Sequence, residues 1–173
     1  MGFEEALSNR GTTPAWGFVQ HAGEPSFEIA VDDTIAHEGK QSLRLKRTGK
    51  QHYALASQII LADRYRGKRV RFSGYLRLAD VHAFGPGKLG EISGTGLLLR
   101  VSLPGSDLFF DDMRDRPMRG THEWTRVSIE VDVPPDAYMI EFGAHLSGSG
   151  AVWFDGAELT VLPPAVSSAS TRQ

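Results

Sequence analysis

The chain has 173 residues, 19 basic against 21 acidic, a formal net charge of -2 and no cysteine. Such a length makes one ordinary domain with a single core. The charge balance offers no basic stripe to a nucleic-acid backbone, and the absence of cysteine excludes disulfides, thiolate metal sites and cysteine nucleophiles.

Read in chain order, the sequence opens without a signal-peptide pattern, and no apolar run approaches the ~18 residues of a spanning helix. The expectation is a cytoplasmic chain with no membrane partner and no nucleic-acid partner for this domain alone. Period-two alternation then appears in "KQSLRLKR", "KRVRFSGYLRL", "GLLLRVSL", "TRVSIEVDV", "AYMIEFGAHL" and "AVWFDGAELTVL", the pattern of half-buried strands. Turn signals separate them, among them "HEGK", "RTGK", "YRGK", "FGPGK", "LPGSD", "VPPDA" and "LSGSG", which hold eight of the 19 glycines and four of the nine prolines. About nine or ten strands at near-regular spacing, with no long amphipathic helix, predict an all-β fold: a two-sheet antiparallel β-sandwich of jelly-roll type. Residues 1–162 form that single domain, and the small, polar, proline-led residues 163–173 read as a flexible tail.

Side-chain phase assigns the faces. Val70, Phe72, Gly74, Leu76 and Leu78 share one face of their strand, against Arg71, Ser73, Tyr75 and Arg77. Leu97, Leu99, Val101 and Leu103 oppose Leu98, Arg100 and Ser102, and Ile140, Phe142, Ala144 and Leu146 oppose Glu141, Gly143 and His145. The three strands together predict one polar face carrying Tyr75, Arg100, Glu141 and His145. An arginine between leucines must be paired or must await a polar ligand. Trp16, Tyr53, Tyr75 and Trp124 are the candidates for stacking on a sugar ring. Glu141 and His145 are the candidate acid–base pair if the groove is catalytic, four residues apart and so about 13–14 Å by strand rise.

Two other stretches invite a chemical reading. "FFDDMRDRPMRGTHEW", residues 109–124, interleaves acids with arginines and so predicts a crossing loop tied by Arg–carboxylate pairs, since a calcium loop would alternate oxygens without arginine among them. "GPGKLG", residues 85–90, spells a dinucleotide fingerprint but continues as loop and strand with no helix to face phosphates, so it reads as a flap over one sheet. The six histidines stand at least 15 residues apart and form no local ligand pair.

Three segments together, "YRGKRVRFSGYLRL", "LLLRV" and the run from "FFDDMRDRPMRGTHEW" to "GAVWFDGAEL", resemble a bacterial domain associated with arabinose-regulator-type transcriptional regulators. Similar segments precede some tail-specific-type proteases. The resemblance covers roughly residues 16–161 and implies a galactose-binding-like jelly roll akin to carbohydrate-binding modules. It also implies a structural calcium, because such modules hold one near an opening "GFE", a "G-K-x-S" strand start and an acid in the last strand. Here that set would be Glu4 or Glu5, the Lys40 carbonyl and Asp155.

The sequence thus points to a non-enzymatic domain binding a carbohydrate or another small polar-aromatic molecule in a groove on the concave sheet. The alternative is a cofactor-free cyclase or isomerase of natural-product biosynthesis on the same scaffold, with Glu141 and His145 as its acid–base residues. A third reading is a homodimer formed through sheet faces.

Overall fold

A computed structural model describes residues 16–85 and 93–163. Ten strands follow one another: β1 (Gly17–Gln20), β2 (Phe27–Asp32), β3 (Ser42–Arg47), β4 (Ala54–Leu61), β5 (Arg69–Val81), β6 (Thr95–Leu103), β7 (Ser106–Asp111), β8 (Gly120–Asp132), β9 (Met139–Leu146) and β10 (Ala151–Val161). They form two five-stranded sheets, ordered β1-β4-β9-β6-β7 and β2-β3-β10-β5-β8. Every pairing is antiparallel. The protein is a two-sheet β-sandwich of jelly-roll type, with no helix among the described residues.

Alternation dictates this arrangement. In β9 the residues Ile140, Phe142, Ala144 and Leu146 are fully buried, as are Val70, Phe72 and Leu76 in β5 and Leu97, Leu99 and Val101 in β6. These inward faces interlock around Phe72, whose ring centroid lies 5.0 Å from that of Phe142 and 6.3 Å from that of Phe154. Phe142 belongs to the first sheet and Phe154 to the second, so the triad ties the layers together. Burying each such side chain is worth roughly 1.5–3 kcal/mol relative to leaving it in water.

Two local departures from regular pairing matter for the surfaces. The β10–β5 register shifts between Asp155 and Glu158, where Gly156 takes φ 60°. That bulge leaves the Asp155 carboxylate buried under the β2–β3 loop, accepting from the backbone N–H groups of His37 at 2.8 Å, Glu38 at 3.1 Å and Gly156 at 2.7 Å. Of the flap expected over residues 85–90 only Gly85 is described, and the tail from residue 164 onward lies outside the described residues. No helix among the described residues is long and apolar enough to cross a membrane.

At the centre of the first sheet, β9 passes close to β4 at Gly143. A Cβ there would collide with the Ala56 carbonyl oxygen and come within 2.7 Å of the Ser57 Cα, both backbone atoms that cannot swing aside. Gly143→Ala is therefore expected to lower stability by about 1–3 kcal/mol, read as a fall in the thermal or urea midpoint. A midpoint equal to wild type would contradict this packing.

Candidate functional site

The outer face of the first sheet is laid out by its registers, since directly opposed residues project from the same side of the sheet. Glu141 stands opposite Ile59 on β4 and Arg100 on β6, while His145 stands opposite Leu55 and Gly96. Glu141 accepts a hydrogen bond from Ser57 Oγ at 2.8 Å and faces Arg100 Nη1 at 3.2 Å. Arg100 also lies 3.7 Å from Asp107, and its guanidinium sits 5.1 Å from the Phe110 ring centroid on β7. Its Nε is buried and makes no hydrogen bond among the described residues.

The loop after β7 builds the neighbouring wall. Asp111 Oδ1 accepts from the Met113 N–H at 2.8 Å and turns the chain so sharply that Met113 adopts φ 57°. Met113 is buried and lies over Gly96, where a Cβ would come within 2.9 Å of the Met113 Cβ. This turn aims the Asp112 carbonyl at His145, whose Nε2 is 2.8 Å away and must carry the proton. Nδ1 is then the acceptor, 3.3 Å from Ser147 Oγ. Arg114 closes on the Asp112 carboxylate with both Nε (2.8 Å) and Nη2 (2.7 Å), and Arg116 links Asp111 and Asp115.

Electrostatics follow from that packing. Burial pushes the His145 pKa down, and the Asp112 contacts that oppose this do not overcome it. Burial would raise the Asp112 carboxyl, but the hydrogen bonds and the charge of Arg114 help bring it below its ordinary value. The wall presents a neutral imidazole beside a closed carboxylate–guanidinium pair.

Between the wall and β4 lies a cleft of about 320 Å³, lined by Tyr53, Leu55, Leu98, Arg100, Phe110 and His145 among others. Phe84 and Ser93 close one end. Arg47, from the second sheet, holds that end. Its guanidinium lies 3.9 Å from the Phe84 ring centroid, Nε donates to the Gly148 carbonyl at 2.6 Å, Nη1 donates to the Gln51 carbonyl, and Nη2 donates to the His52 carbonyl at 2.8 Å.

The residues singled out from the sequence divide between places. Tyr53, Arg100, Glu141 and His145 share the outer face of the first sheet. Tyr75 and Trp124 do not join them, because β5 and β8 belong to the second sheet; there the His37 ring stacks on Tyr75 at 3.6 Å with Trp124 edge-on at 5.6 Å. Trp16 is only 5% exposed and packs edge-on against Phe154 at 5.5 Å, so it is core rather than platform. Glu4 and Glu5 lie outside the described residues, and no group of three or more His, Asp or Glu side chains among the described residues converges as a metal would need. Phe84, Phe110, Asp112, Arg114 and Arg47 were not singled out as site residues. The paired "DMRD" acids and arginines signalled a tied loop but not which sheet face it would wall.

No protein-family model matches the chain. It is 37% identical over 144 residues to the HTH-type transcriptional regulator YbfP of Bacillus subtilis, covering 80% of this chain and 45% of that protein. The chain therefore spans about half the length of that relative. Among solved structures, it is similar to the enzymatically active domain of tailspike protein 4 of bacteriophage CBA120 (TM-score 0.62, 12% identity, 90% of this chain and 20% of that one). It is also similar to the CBM22-1 xylan-binding domain of Paenibacillus barcinonensis (TM-score 0.56, 15% identity, 95% of this chain and 93% of that one). A third likeness is to the module TmCBM61, solved with β-1,4-galactotriose (TM-score 0.55, 14% identity, 89% of this chain and 93% of that one). The fold is that of carbohydrate-binding-module jelly rolls, and the sequence likeness is to a regulator-associated domain.

The lowered His145 pKa makes a stability prediction. A base held neutral in the fold binds fewer protons than in the unfolded chain, so its contribution is full above the ordinary value of 6.5 and is lost as pH falls from there toward the folded value. Between about pH 7.5 and 5.5 the wild-type melting temperature should drop more than that of His145→Gln, which keeps a side-chain N–H donor and does not titrate. The differential slope is at most about 1.4 kcal/mol per pH unit. Parallel melting curves would place the sensitivity elsewhere.

Proposed function

We propose that this chain is a non-enzymatic carbohydrate-binding domain whose ligand, a short uncharged sugar, lies in the cleft on the outer face of the first sheet. The single observation that carries this reading is the cleft itself, where ring faces and closed charge pairs line one cavity. Arg114 is satisfied by Asp112, and Arg100 stands between Glu141 and Asp107. With His145 neutral, the guanidiniums are matched by carboxylates and leave no positive excess to hold a phosphate or a carboxylate. A sugar's hydroxyls, each both donor and acceptor, suit such pairs, and Tyr53 and Phe110 supply apolar faces for a ring.

Similarity in fold to a xylan-binding domain and to a module solved with β-1,4-galactotriose supports the ligand class. Binding is favoured over acid–base catalysis because each candidate group is already occupied: Glu141 by Ser57 and Arg100, and His145 by the Asp112 carbonyl and Ser147. The two also stand four positions apart on β9, about 13–14 Å along the strand.

Calorimetric titration with xylotriose, β-1,4-galactotriose and a galacturonic acid oligomer tests the reading. A neutral sugar should bind while the acidic one does not. Arg100→Leu should keep the fold and weaken that affinity about tenfold or more, the scale of one lost charge-assisted hydrogen bond. Binding of only the acidic oligomer, or unchanged affinity in Arg100→Leu, would falsify the cleft assignment.

A structural calcium held by Glu4, the Lys40 carbonyl and Asp155 is a separate proposal. Asp155 gives three acceptor positions to backbone N–H groups out of about four on a carboxylate, so one is left for a cation. Chelation is expected to lower the melting temperature; an identical melt with and without chelator removes the ion from the account.

A further inference from the structure

The outer face of the first sheet carries two unlike rails. β9, β6 and β7 supply His145, Glu141, Arg100 and Asp107, whereas β1 and β4 supply Val19, Leu55, Ile59 and Leu61. Register sets Val19 beside Leu55, Leu55 beside His145, Ile59 beside Glu141, and Leu61 beside Met139. From Leu55 to Leu61 this rail runs alongside the polar one for about 20 Å, interrupted by Ser57, which is buried and turned to Glu141. It begins inside the cleft, which Leu55 lines, and leaves it past Glu141.

Beyond the cleft the rail is open to water: Ile59 is 63% exposed and Leu61 57%. Of the large hydrophobics exposed among the described residues, Val161 alone belongs to the second sheet. The second sheet covers its outer face with ion pairs instead, Arg69 and Arg71 on Glu130, Arg77 on Glu123 and Arg126 on Glu158. Ile59 and Leu61 also offer no flat ring face on which a pyranose could stack. Branched aliphatic side chains in a row match an alkyl or acyl chain. Together they expose on the order of 200 Å², within the size of the largest patch on a monomer. A stable dimer takes about 800 Å² from each partner.

We propose that the ligand is amphipathic, a short neutral sugar seated in the cleft and joined to an alkyl or acyl chain that lies over Ile59 and Leu61. This rests on the cleft reading above and adds a second, chemically distinct contact to it. The sugar end meets Arg100 and His145, and the chain leaves along β4, where Glu141 is only 14% exposed and held by Ser57 and Arg100.

The experiment compares methyl and hexyl β-D-xylosides and β-D-galactosides by calorimetry, in wild type and in an Ile59→Ser, Leu61→Ser double variant whose fold is checked by its melt. Both positions are more than half exposed, so the fold should survive. In wild type the hexyl glycoside should bind about tenfold or more tighter than its methyl partner, since each buried methylene is worth several-fold in affinity. In the double variant that ratio should fall to near one. A wild-type ratio of one, or a ratio that the double variant leaves unchanged, overturns the proposal while leaving the cleft reading in place. Sedimentation showing a wild-type dimer that the double variant splits into monomers also overturns it, because a second copy then owns the rail. Failure of every glycoside to bind overturns the cleft reading and this proposal together.

Discussion

The register between β9 and β6 is the constraint on which the site depends. It places Glu141 across from Arg100 and His145 across from Gly96, and the same register turns Phe142 and Leu99 into the core. A slip of one residue would move every side chain of a strand to the opposite face. Arg100, Glu141 and His145 would then have to enter a core in which Phe72, Phe142 and Phe154 already touch. Burying those polar groups without partners is costly enough that one register is strongly selected. Stability and site geometry are here one requirement: the packing that keeps the inner face dry is what lines up the polar rail.

The two outer faces show what the same alternation does under different demands. On the second sheet, arginines and acids alternate in cross-strand pairs, with Arg44 on Glu28 and two arginines on Glu130. Such exposed pairs add little stability, about 0–1 kcal/mol each. They keep a sheet face wet and guard its edges against stray pairing. The first sheet forgoes that protection along β4. Its charges gather instead at and beside the cleft, where Arg100 meets Glu141 and Arg114 meets Asp112.

The strands and their inner faces were legible in the sequence because a period of two is local information. β9, β6 and β5 each declare their dry side within a few residues. Which sheet a strand joins is not local, and that is where Tyr75 and Trp124 were misplaced. β5 shows the same alternation as β6 and β9, so phase alone makes Tyr75 a companion of Arg100, whereas pairing with β10 and β8 puts it on the far side of the molecule. Trp16 failed for a different reason. An aromatic side chain beside the first strand reads equally as platform or as core, and only the inter-sheet contact with Phe154 decides it.

The loop "DDMRDRPMR" marks the deeper limit. Its arginine–carboxylate pairing follows from composition, but its purpose lies in one backbone conformation. Met113, a residue with a side chain, is held at positive φ, which costs about 1–3 kcal/mol unless the surroundings over-determine it. They do so from three directions. Asp111 caps its N–H, Gly96 leaves open the space that a Cβ would fill, and its sulfur lies 3.3 Å from the Leu97 nitrogen. With Met113 pinned, the Asp112 carbonyl is fixed on His145 and its carboxylate on Arg114, so one strained residue sets both the tautomer of the imidazole and the charge pairing of the wall. A spacing rule finds residue types, whereas this wall is made by a main-chain carbonyl, an absent side chain and a strained turn.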